Sequence, residues 1–247
     1  MVPIRNSPAT KANKGLKKAA AKTGEGNSQW LARTRLTSGI LLLGGSSLEH
    51  FRIRVAQSQV RSDLLPGFWS LAGILLDGER FYSVPLAPPV DLSVVPANNG
   101  VQLCRLADYD DPRRFPNVAV LQFPGAQNPL LHQAENSDLA RDTVELIRHQ
   151  RSLVDLPALM LAWLSHVWGV TGNPLLEAKG LPSAVFVESV YGLAGIELTP
   201  GLAAAASCPE AIWQAGKWWH QFYQRADAGA PTGVYSIRQP AAAVIEL

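Results

Sequence analysis

The apolar residues of this chain change their spacing near its midpoint, and that change limits the folds open to it. From Trp30 to Phe123 they come in short runs cut by glycine and proline. Ser38–Leu43 ends in Gly44-Gly45, read as a turn, and Val101–Leu106 and Asn117–Phe123 flank a polar loop holding Asp108, Asp110 and Asp111. Trp69–Leu76 and Arg80–Leu86 flank Asp77-Gly78, a pair that signals a tight hairpin turn between apolar runs. Phe51–Val55 alternates apolar and charged residues, the period of a half-exposed strand. Beyond residue 136 the spacing becomes helical. Ser137 can cap a helix to Val154, Asp155 with Pro157 opens a second through Trp168, and Pro182 opens a third to about Leu193, stopped by Gly195. Ser207 and Glu210 have capping-box spacing ahead of Ile212, Trp213, Trp218 and Phe222. Val234–Ile237 reads as a short edge strand. Strands first and helices after predict an α+β fold, an antiparallel sheet packed against helices.

The 247 residues are 47% hydrophobic, enough to bury a sizeable core, which excludes wholesale disorder. A membrane span needs about 18 uncharged apolar residues in a row. The best stretch, Leu153–Val170, is broken by Asp155, Pro157, Ser165 and His166, so no span is expected. Residues 1–28 carry six basic side chains against Glu25 alone, while the whole chain is only +2. They read as a flexible basic arm ahead of one domain over residues 29–247. Such an arm suits weak contact with nucleic acid or an anionic surface. No aromatic residue interleaves its lysines, so base stacking has no support there. The N-terminus lacks the apolar core of a secretory signal, which points to the cytoplasm. Cys104 and Cys208 are too few for a disulfide framework or an all-cysteine zinc site, and no cofactor or metal is expected.

Two segments carry a resemblance. Pro182–Pro200 reads PSAVFVESVYGLAGIELTP. Its Phe186-Val187, Val190-Tyr191, Ala194-Gly195-Ile196, Leu198 and Pro200 resemble, without a gap, the nucleophile segment of the NlpC-type papain-fold peptidases and amidases. Trp69–Val84, with Ala72-Gly73-Ile74 and the Asp77-Gly78 turn, is similar to the histidine strand of that family. The histidine-type strand comes first here, the order of the circularly permuted branch. The resemblance implies a papain-like domain with a nucleophile at a helix N-terminus, where the helix dipole favours a thiolate. It also implies an imidazole on a neighbouring strand, which moves the proton.

The sequence departs from that pattern at both reacting positions. Ser183 stands where the family has its cysteine, and Leu71 where it has its histidine. Leucine accepts no proton. The five histidines, His50, His132, His149, His166 and His220, have no spacing that suits a zinc site; His50 could approach the cleft, His220 reads as packing, and Cys208 reads as a small buried thiol at a helix start. Trp218, Trp219, Phe222 and Tyr223 cannot all face inward on one helix, which makes them candidates for a partner surface. The expectation is a catalytically inactive papain-like domain that serves as a binding, scaffold or regulatory subunit for a protein partner. The alternative is a hydrolase or acyltransferase of amide or ester bonds, with Ser183 as its nucleophile.

Overall fold

The computed structural model describes residues 15–86, 99–123, 142, 144–151, 153–193, 195–223 and 231–239, with backbone alone for 220–223. Seven strands form one mixed sheet: β1 (Leu16–Lys18), β2 (Gly39–Gly44), β3 (Leu71–Leu75), β4 (Arg80–Ser83), β5 (Gln102–Arg105), β6 (Asn117–Gln122) and β7 (Thr232–Ile237). Their order across the sheet is β1-β7-β6-β2-β3-β4-β5, and only the β1–β7 pair is parallel. The helices are α1 (Asn27–Thr34), α2 (Leu48–Ala56), α3 (described over 144–149), α4 (Leu156–Val167), α5 (Pro182–Leu193) and α6 (Pro209–Tyr223). The α+β class expected from the sequence is the class observed.

The middle of the sheet is covered on both faces, which explains why every residue of β2 is buried. Alternate side chains feed two separate cores. On one face Ile40, Leu42, Ala72, Ile74, Ala119 and Leu121 meet Phe186, Val187, Val190 and Tyr191 of α5, with Ile212 and Trp213 of α6. On the other face Leu41, Leu43, Leu71, Leu75, Val118 and Val120 meet Trp30 and Leu31 of α1. Burying each such side chain is worth roughly 1.5–3 kcal/mol, so the two layers are the main source of stability. A smaller cluster joins Ile53 of α2 to Trp163 and Val167 of α4, with Leu181 and Cys208.

The hairpin at Asp77-Gly78 is present. Asp77 Oδ1 accepts from the Glu79 and Arg80 N–H groups at 3.1 and 2.8 Å, and Gly78 takes φ +85°. Asp155 caps α4 by accepting from Ala158 N–H, with Pro157 in the first turn. Of the helix expected from Ser137, residues 137–141 lie outside the described residues.

Four expectations are corrected. Residues 51–55 are not a strand but the body of α2, capped by Ser47, whose hydroxyl accepts from His50 N–H. The alternation misleads because Arg54 does not face water: it is 0% exposed and donates to the Gly67 and Gly45 carbonyls. Residues 16–18 and 27–28 of the expected arm belong to the folded domain, as a strand and the start of α1. Residues 16–18 form β1 on β7, and the Trp30 indole N–H donates to Ala19 O at 2.7 Å. The arm's residues 1–14 lie outside the described residues. For the same reason β7 is no edge strand: it lies between β1 and β6. Ser207 and Glu210 form no capping box. Ser207 Oγ donates to Glu188 on α5, and the Glu210 carboxylate accepts from Phe68 N–H.

Candidate functional site

Pro182 begins α5 beneath the sheet, which seats Ser183 against β3. Its side chain is 1% exposed, and its Oγ accepts from Ala72 N–H at 3.2 Å. The Ala72 carbonyl accepts from Ser83 Oγ at 2.6 Å. The β3–β4 ladder ends at the pair Gly73–Ser83, so the amide groups of Ala72 outrun it. Serine hydroxyls from α5 and β4 bond to both of them. A buried backbone group without a partner costs as much as a lost hydrogen bond, and this arrangement avoids that cost.

The strand and the helix named by the sequence do meet, but the two singled-out side chains do not. Ala72 faces α5, and its neighbour Leu71 therefore points through the sheet into the opposite core, among Trp30, Leu31 and Phe81. A histidine at residue 71 would point away from Ser183.

No imidazole among the described side chains bonds to Ser183. His50 lies edge-on to Phe115, with ring centroids 5.2 Å apart, and loss of hydration lowers its pKa to about 4. His149 pairs with Glu145 at 2.9 Å, and His166 contacts the Thr171 carbonyl at 3.4 Å. His132 and the His220 side chain lie outside the described residues. Cys208 sits one residue before α6, yet burial pushes its thiol up to about 12, the reverse of an activated thiolate. Cys104 is buried likewise, at about 11. Among the described residues no group of three His, Cys, Asp or Glu could hold a metal ion. Of the acidic loop, Asp110 accepts from Ser28 N–H in the first turn of α1, and Asp111 from Arg113 N–H.

Buried charge is what sequence reasoning missed. Glu188, 5% exposed on α5, accepts from Thr199 Oγ1 at 2.6 Å and Ser207 Oγ at 3.1 Å. Burial raises its pKa, the two hydroxyls counteract this in part, and Glu197 adds repulsion. Through it one carboxyl fastens the 199–207 loop to α5. Glu210 at the start of α6 accepts from Phe68 N–H at 2.8 Å, Gln214 Nε2 at 2.6 Å and Arg61 at 3.4 Å, and its pKa is also raised by burial. Periodicity could not reveal either group, because each breaks the apolar pattern at a single position.

The aromatic helix divides as its spacing requires. Trp213 turns inward and packs edge-on to Trp69 and Tyr235, at 5.2 Å from each. Gln214, Ala215 and Trp218, with the buried Ala211 beneath them, line a groove of about 350 Å³, walled by Val60 and Leu202. Trp218 is 52% exposed and stands edge-on to Trp219 at 4.6 Å. Phe222 and Tyr223 continue the helix, but their side chains lie outside the described residues. No helix among the described residues is long and apolar enough to cross a membrane. Comparison with family models, with curated proteins and with solved structures finds no match.

Proposed function

We propose that this chain is a non-catalytic α+β domain that works by holding a protein partner, with the outer face of α6 as its contact surface. The observation that carries the reading is the state of Ser183. Its hydroxyl is buried and committed to Ala72 N–H, and no described imidazole bonds to it. A serine without a base is a poor nucleophile, and one enclosed between helix and sheet offers no approach to a carbonyl carbon. Descent from a permuted NlpC-type papain fold belongs to the same proposal. The contact of the α5 start with β3 supports it, and the inverted direction of Leu71 is the departure it must accommodate.

Activity-directed labelling tests the reading. The folded chain is incubated with a fluorophosphonate and with a thiol-directed acylating probe, and the adducts are mapped by mass spectrometry. No stoichiometric adduct is expected at residue 183. Stoichiometric labelling there, abolished by prior denaturation, would favour the hydrolase or acyltransferase reading instead.

A further inference from the structure

Asn99 and Gly100 are neighbours, and no other asparagine in the chain precedes a glycine. Asn99 is fully buried. Its Nδ2 donates to the carbonyls of Ile147 at 2.6 Å and Val154 at 2.7 Å, with Gln150 O at 3.4 Å. Its backbone N–H donates to Arg148 O at 2.9 Å. These carbonyls belong to the end of α3 and the turn toward α4, where a helix leaves acceptors unpaired and its dipole is negative. One neutral amide therefore fastens this corner to the approach of β5. Gly100 is dictated by the fold as well. It takes φ +77°, and a Cβ there would stand 2.8 Å from Met160 Sδ on α4.

The two demands together create a reactive pair. The peptide nitrogen after an asparagine can attack the side-chain carbonyl carbon and close a five-membered ring, and glycine, with no side chain, hinders that attack least. We propose that the Asn99-Gly100 pair is a self-modification site that the fold holds shut. In the reaction the Gly100 nitrogen bonds to Asn99 Cγ, the Cγ–Nδ2 bond breaks, and the displaced proton leaves with the nitrogen as ammonia. Water then opens the succinimide at either carbonyl, to aspartate or to isoaspartate.

The folded geometry opposes each step. The nitrogen that must leave is the atom tied to residues 147, 150 and 154. Asn99 Oδ1, which would carry the negative charge of the tetrahedral intermediate, has no donor among the described residues. The amide reacts only after the corner at residues 147–154 has opened. The products cannot return to it. An aspartate at residue 99 has no hydrogen for the Ile147 and Val154 carbonyls, and it sets a charge against the negative end of α3. Isoaspartate also adds one atom to the main chain, which shifts the N–H that meets Arg148 O. Chains that open are thereby removed one way from the native population. This inference does not rest on the partner-binding reading.

Incubation of the full chain in one mildly alkaline buffer, with and without urea, tests the proposal. Peptide mapping follows aspartate and isoaspartate at residue 99 over time. In urea residue 99 should convert before any other asparagine. Without urea its conversion should be at least about a hundredfold slower, because only the open fraction reacts. Val144→Ala, which thins the packing of α3 against the core, should speed conversion in native buffer about tenfold. Chains converted in urea and returned to buffer should melt lower than unconverted chains carried through the same steps. Equal rates with and without urea would overturn the protection by the fold. An unchanged rate in Val144→Ala would overturn its control by the α3 corner. Converted chains that regain the wild-type transition would overturn the one-way exit. None of these outcomes touches the non-catalytic reading, which the labelling of residue 183 decides separately.

Discussion

Replacing Ser183 by alanine separates a structural serine from a reacting one. The substitution removes the acceptor of Ala72 N–H, a backbone donor at a position with 0% exposure, and leaves only a small void behind. A buried donor left unpaired costs roughly 1–3 kcal/mol. For a chain of this size each kcal/mol lowers Tm by about 2–4 °C, so a fall of about 2–12 °C is expected. Urea titration should show a lower midpoint with an unchanged slope, because the surface exposed on unfolding is the same. Ser83→Ala removes the hydroxyl on the Ala72 carbonyl, and the double variant should depart from additivity, since both hydroxyls serve the backbone of one residue. A Ser183→Ala protein within about 0.5 kcal/mol of wild type would refute the reasoning, for it would place Ser183 among residues whose loss the fold does not feel.

Two further outcomes follow from the same geometry. In Glu188→Gln the pH dependence of stability should flatten. The folded carboxyl keeps its proton to higher pH than the unfolded one near 4.3, so its contribution is fully present below that value and declines as pH rises through the folded pKa. The variant should therefore gain on wild type in thermal melts as pH rises above the unfolded carboxyl's range, and a difference that does not change with pH would contradict the assignment. Installing a cysteine–histidine pair as Ser183→Cys with Leu71→His should not create a reactive thiolate, because residue 71 faces the core around Trp30. Alkylation of the introduced thiol in the double variant should show no rise at low pH, and a reactivity midpoint below about 7 would sink this reading of β3.

Much of the architecture was legible. Apolar runs bounded by glycine, proline and aspartate located β2, the β3–β4 hairpin and β6, and proline placed in the first turn located α4 and α5. What failed did so for physical reasons. The Phe-Arg-Ile-Arg-Val stretch fits a period of two, but the folded protein buries Arg54 against carbonyl oxygens, so its charge gave a false signal of exposure. Leu16–Lys18 carries almost no apolar signal, and it is a strand only because β7 stands beside it. The helix that places Ser183 was visible. Which way Leu71 points was not visible, since strand facing depends on register and a shift of one residue reverses it. The carboxylates at 188 and 210 were hidden because Thr199, Ser207, Arg61 and Phe68, which hold them, lie outside their own helices.

The parallel strand β1 ties the earliest described residues to the latest. Arg238 donates to Asn27 Oδ1 and to the Glu25 carbonyl, and Ala21 N–H reaches Ser236 Oγ. During synthesis residues 16–18 must therefore wait until residues 232–237 have emerged before their mate exists. Closure of so long a loop is a late and slow event, and one flank of β6 stays without its neighbour until then. The nascent chain spends that interval with an open hydrogen-bonding border, its period of greatest vulnerability to mispairing.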